Sequence, residues 1–123
     1  GRIGRLARPL APAAFASQVK SALGAPGVRC APGHSAVGTV ALCSGAMDSG
    51  MVEEAQALGA DALLTGECKY HEFLEAAHRG ITLVAAGHFA TEQVVLPALQ
   101  ALLERAGVEP VFPSTQEDVE VFF

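Results

Sequence analysis

The segment ALLTGECKYHEFLEAAHRGITLVAAG, residues 62–87, alternates strand and helix patterns. Ala62 to Thr65 is an apolar run of strand length, and Gly66 interrupts it. Tyr70, Phe73, Leu74 and Ala77 then recur at helical spacing until Gly80 closes the pattern, and Ile81 to Ala86 is a second apolar run ending in the loop residue Gly87. Strand, loop, helix and strand in so short a span define a βαβ unit, whose connection is right-handed and whose strands are parallel. The same unit precedes it. Val37 to Cys43 is a strand, Ser44 and Gly45 a turn, and Met51, Val52, Ala55 and Leu58 recur at helical spacing until Gly59.

Upstream, Phe15, Val19, Ala22 and Leu23 share one face of a helix from Pro12 to Leu23, stopped by Gly24. Downstream, Val94, Val95, Ala98, Leu99, Leu102 and Leu103 predict the buried stripe of a long helix running to about Gly107. Pro97 lies inside that pattern, where a lost amide and a ring clash cost about 3 kcal/mol in a regular helix, so a kink or a restart is expected there. Val108 to Phe112 and Val119 to Phe123, separated by Pro113, Ser114 and Thr115, predict a closing pair of strands. The fold class is therefore α/β, a mostly parallel sheet with helices on both faces.

The chain has 123 residues, half of them apolar and 17% charged, which predicts one folded α/β domain over residues 1–123. Thirteen acidic and eight basic residues leave a net charge of -5, which argues against direct DNA or RNA binding. Cys30, Cys43 and Cys68 are odd in number and form no CxxC pair, so neither a disulfide framework nor a thiolate zinc site is encoded, and a reducing, cytoplasmic setting is expected. No apolar run approaches the roughly 20 residues that cross a bilayer, so no membrane partner is expected. The opening Gly1-Arg2-Ile3-Gly4-Arg5-Leu6 reads as the interior of a longer protein.

In parallel sheets ligands bind outside the carboxyl ends of the strands, so the three strand ends carry the candidate chemistry. His88 and Glu92, four apart at the start of a helix, share one face and suit a common metal ion. The alternative is that Glu92 complements the helix dipole while His88 bonds a carbonyl. Glu67 and His71 repeat the spacing in reverse order on the neighbouring strand end. Glu67 could orient His88, activate a metal-bound water or ligate directly; the plainer alternative is a solvated glutamate and a surface histidine. Ser44-Gly45-Ala46 is either an anion cradle or a tight strand-to-helix turn. His34 and His78 have no comparable company, and Cys43 and Cys68 are expected to pack as small hydrophobes.

Gly1-Arg2-Ile3-Gly4 with Leu6 and Pro9, Thr65-Gly66-Glu67 with Lys69-Tyr70-His71, and Gly87-His88-Phe89-Ala90-Thr91-Glu92 occur in that order. Together they resemble the C-terminal half of the NIF-three-like family, the GTP cyclohydrolase I type 2 homologues. The resemblance covers essentially the whole chain and rests most on the last motif. It implies one half of a two-lobed fold with a dinuclear metal site between the halves, His88 and Glu92 being metal ligands; Glu67 and His71, on the neighbouring strand end, are then the expected catalytic residues lining the site, Glu67 the better suited to activate water. The family's other ligands, a paired histidine and an aspartate, belong to the N-terminal half, and no His-His pair occurs in this sequence. The resemblance thus implies two divalent ions (Zn, Fe or Mn) in the longer protein and an incomplete site in this chain. It further implies a homo-oligomer, and a metal-dependent hydrolase acting on a nucleotide or phosphoester. A non-catalytic regulatory or interaction module with a structural metal is the alternative.

Overall fold

Three strands marked by apolar runs form the centre of a five-stranded sheet in the computed structural model, which describes residues 1–121. The elements in chain order are β1 (Arg2–Leu10), α1 (Pro12–Leu23), β2 (Arg29–Ala31), β3 (Val37–Ala46), α2 (Met51–Ala57), β4 (Ala62–Glu67), α3 (Tyr70–Arg79), β5 (Thr82–Ala85), α4 (His88–Gln93) and α5 (Leu96–Arg105). The strand order is β1-β3-β4-β5-β2. β3, β4 and β5 are parallel, as the βαβ reading requires, and the two edges are antiparallel: β1 on β3 and β2 on β5.

The central strands are buried on both faces because helices cover both. Phe15, Ala16 and Val19 of α1 pack on Val37, Val40, Ala62 and Val84. On the opposite face Val52 and Ala55 of α2 and Ala76 of α3 pack on Ala41, Leu63 and Leu83. Neighbouring residues such as Val40 and Ala41 thus serve opposite cores, as strand alternation dictates. The Asp61 carboxylate joins β3 to β4 at their amino ends, accepting the amide hydrogens of Gly38 at 2.9 Å and Thr39 at 2.7 Å. No helix among the described residues is long and apolar enough to cross a membrane.

Four local expectations need correction. β1 and β2 were not marked by any apolar pattern, and both lie at sheet edges. In α3 the buried residues are Glu72 and Ala76, with Phe73 partly buried, whereas Tyr70 and Leu74 are exposed. Glu72 turns inward because its Oε2 accepts the Lys69 amide hydrogen at 2.6 Å, capping the helix start. The restart expected at Pro97 is present, the C-terminal helix dividing into α4 and α5 with Pro97 in the first turn of α5, where its missing amide costs nothing. The expected buried stripe of α5 is not buried: Val94, Val95, Leu99 and Leu102 are all exposed, because no other described element lies over them. Finally, Val108 to Val121 form no strand pair; Phe122 and Phe123 lie outside the described residues.

Candidate functional site

The parallel strands end side by side, and the chain turns there into helices. After β5, Gly87 adopts φ 94°, a conformation open to glycine, and hands the chain directly to α4 with His88 as its first residue. Glu92 stands one turn further on the same face, and Glu67 is the last residue of β4, the strand next to β5. These three side chains meet. His88 Nδ1 lies 3.3 Å from Glu67 Oε2, and His88 Nε2 lies 3.2 Å from Glu92 Oε1. All three are about half exposed. The hydrogen bond to Glu67 first, and the charge of Glu92 second, raise the His88 pKa above the ordinary imidazole value, against a smaller opposing effect of desolvation.

Beneath them lies a backbone junction that sequence reasoning missed. β3 carries an irregularity between Cys43 and Ala46, and within it Gly45 adopts φ 66°. The Gly45 amide donates to Thr91 Oγ1 at 3.0 Å, and Thr65 Oγ1 donates to the Gly45 carbonyl at 3.2 Å. Thr91 Oγ1 also lies 2.9 Å from the Gly87 carbonyl and 3.0 Å from that of His88. The only signal in the sequence was a threonine between the two members of the His88/Glu92 pair; its contacts to Gly87 and His88 are local, and the one to the Gly45 amide, which makes the junction, is tertiary. The same geometry decides the Ser44-Gly45-Ala46 question. The Gly45 amide belongs to Thr91, the Met47 amide donates to the Glu67 carbonyl at 3.1 Å, and α2 begins only at Met51, so the segment is a strand end and no anion cradle.

Beside this cluster opens a cavity of about 890 Å³, lined among others by Arg29, Asp48, Glu67, Lys69, His71 and Gly87. His71 lies on its wall, in the exposed first turn of α3, and makes no ion pair with the Glu67-His88-Glu92 group. The Arg29 guanidinium is held over the Phe73 ring at 5.2 Å and donates to the Cys68 carbonyl at 3.4 Å. Among the described residues neither Arg29 nor Lys69 forms an ion pair. The Cys68 thiol is partly buried, and desolvation pushes its pKa up to about 11, which makes it a poor nucleophile. His34 packs against the α3 terminus, its amide donating to the Gly80 carbonyl at 3.0 Å. Among the described residues no three His, Cys, Asp or Glu side chains are arranged to hold a metal ion by themselves.

Comparison with known proteins matches residues 1–119 to the Duf34/NIF3 (NGG1p interacting factor 3) family, and the chain belongs to it. Among curated relatives, it is 38% identical over 107 residues to the GTP cyclohydrolase 1 type 2 homolog of Allochromatium vinosum, covering 86% of this chain and 42% of that protein. The homolog of the same name from Pseudomonas aeruginosa is 38% identical over 111 residues, 89% of this chain and 43% of that protein. Among solved structures, Staphylococcus aureus protein SA1388 superposes with a TM-score of 0.82 at 26% identity, over 98% of this chain and 36% of that one. A Bacillus cereus protein related to NIF3 gives a TM-score of 0.79 at 26% identity, over 98% and 34%. The chain therefore spans about two fifths of the length of these curated relatives.

Proposed function

We propose that this chain is the C-terminal half of a dinuclear metal protein, supplies His88 and Glu92 as ligands, and serves a metal-dependent hydrolase acting on a nucleotide or phosphoester. The observation that carries this reading is the 3.2 Å approach of His88 Nε2 to Glu92 Oε1 at an open strand-end edge. An imidazole nitrogen with a carboxylate oxygen suits Zn, Fe or Mn. The donors also have room for an ion. A β-carbon at Gly45 would stand 2.7 Å from Glu92 Oε1 and 3.3 Å from His88 Nε2, so its absence keeps their inner side clear. Glu67, on the other ring nitrogen, would fix the tautomer that leaves Nε2 free to ligate. Two ligands hold an ion weakly, and we assign the missing ones to the N-terminal half of the longer protein.

When bound, the metals would activate water and polarise a substrate oxygen. The chain's own residues do the rest. Glu67 is the carboxylate we assign to proton transfer, since it can take up a proton without competing strongly for the ions. His71 would contact substrate from the cavity wall. The cavity volume falls within the usual range for small-molecule sites. Its lining carries both signs of charge, and Arg29 is its oriented cation, suited to a phosphate group. We place the protein in the reducing cytoplasm, in keeping with its three free cysteines.

The test is turnover of GTP and a panel of nucleotides and phosphoesters by the metal-loaded full-length protein, with Arg29→Ala alongside. The reading expects turnover, with KM raised about 10- to 100-fold by the substitution and kcat little changed. Absence of turnover across the panel, with metals bound, removes the hydrolase reading. One observation would then favour a regulatory or interaction role: α5 displays Leu99 and Leu102 to solvent with no described partner. That exposed stripe is also our reason for proposing a homo-oligomer.

A further inference from the structure

We infer that Thr91 is a positioning residue: its hydroxyl ties the irregular end of β3 to the first turn of α4 and so sets where His88 and Glu92 stand. The inference rests on the metal reading above, and it concerns a residue to which that reading gives no part in holding ion or substrate.

α4 has six residues, too few for its internal hydrogen bonds to fix its orientation. It begins without a side-chain cap on Gly87, and its buried side chains are Ala90 and Thr91. Ala90 offers packing without direction, and the contact of His88 with Glu67 is half exposed, which leaves Thr91 as the buried directional side-chain contact of α4. Its hydroxyl has one hydrogen and two lone pairs. One lone pair accepts the buried Gly45 amide at 3.0 Å. The hydrogen goes to the Gly87 carbonyl at 2.9 Å or to the His88 carbonyl at 3.0 Å. One atom thereby joins the β3 irregularity to the start of α4, whose first residue is the proposed ligand His88.

The irregularity makes the connection possible. β3 and β4 pair Cys43 with Thr65 and then Ala46 with Glu67, so Ser44 and Gly45 together face Gly66 alone. That extra residue takes the Gly45 amide out of the ladder and leaves it to Thr91. Gly66 completes the fit. A β-carbon there would stand 2.6 Å from the Gly45 carbonyl, 2.6 Å from Thr91 Oγ1 and 3.0 Å from the Gly87 carbonyl, so all three groups converge on space that only glycine leaves. The tether also holds Gly45 directly under the donors, its missing β-carbon facing Glu92 Oε1 and His88 Nε2. Thr91 therefore acts on the pair from both sides, through the helix that carries it and the strand end beneath it.

Thr91→Val and Thr91→Ser in the full-length protein separate the hydroxyl from the shape. Valine keeps the branch and the volume but orphans the Gly45 amide, whereas serine keeps the oxygen. Co²⁺ affinity, followed by visible absorbance, should fall about 10-fold or more in Thr91→Val, the scale of lost outer partners of a ligand, and return close to wild type in Thr91→Ser. Equal Co²⁺ affinity in wild type and Thr91→Val overturns the inference. If Thr91→Val does not fold, amide hydrogen exchange in the unaltered protein decides: strong protection of the Gly45 amide is expected, and exchange at the rate of an open amide overturns the inference. Should His88→Ala bind Co²⁺ as well as wild type, the metal reading fails by itself. Thr91 is then judged on the ¹⁵N shifts of the His88 ring in metal-free protein, which Thr91→Val should move and Thr91→Ser should not; unmoved shifts overturn it.

Discussion

Glu67 and His88 meet across adjacent strand ends, with Glu67 Oε2 3.3 Å from His88 Nδ1 while Glu92 approaches the other ring nitrogen. An imidazole between two carboxylates holds its proton more firmly than a free one. Glu67→Gln removes the larger of the two raising influences, so the His88 pKa should fall toward its ordinary value. A proton NMR titration of the ring Cε1-H reads this directly. Because the folded value is raised, the contribution of this contact to stability is present below the ordinary imidazole pKa and disappears as pH climbs through the raised one. An unchanged titration in Glu67→Gln would remove Glu67 as the partner of Nδ1.

Gly66 supports a stability prediction of the opposite kind, insensitive to pH. Since an added β-carbon would meet backbone oxygen on two sides, Gly66→Ala must push strand ends apart. Overpacking of this sort costs about 1–3 kcal/mol, and the rigid neighbours put this case at the upper end. Urea denaturation should show a lowered midpoint with an unchanged slope. A midpoint equal to wild type would mean the junction is looser than its distances indicate.

The apolar face of α5 bears on assembly. Leu99 is 44% exposed and Leu102 55%, and Val94 and Val95 extend the patch. Leu99→Glu combined with Leu102→Glu should shift the protein toward monomer in sedimentation velocity, with little change in its helix content. An unshifted sedimentation profile would separate oligomerisation from this helix.

How far the molecule was readable from its residues follows from where each signal resides. β3, β4 and β5 were legible because their apolar runs are buried on both faces and end at glycines, and the restart at Pro97 followed from its missing amide. β1 was not, because its Arg2, Arg5 and Arg8 side chains remain exposed and the strand is held by backbone pairing to β3. β2, at three residues, is too short to show a period. The apolar residues of α5 and of 108–121 misled the burial reading for one reason: a stripe or a run predicts a face that wants covering, and nothing in the described chain covers these. At the site, His88 and Glu92 were legible from a four-residue spacing, and Glu67 from its place at a strand end. Thr91 and Gly45 were not, because the hydrogen bond that pairs them joins residues 46 apart in sequence.

Metal content is the readout closest to the proposed role of His88 and Glu92 as ligands. Elemental analysis of purified full-length protein, with His88→Ala and Glu92→Ala prepared alongside, should find metal in the wild type and a clear loss in each variant. Equal metal content in all three proteins would contradict the assignment of His88 and Glu92 as ligands, and with it the account of the site.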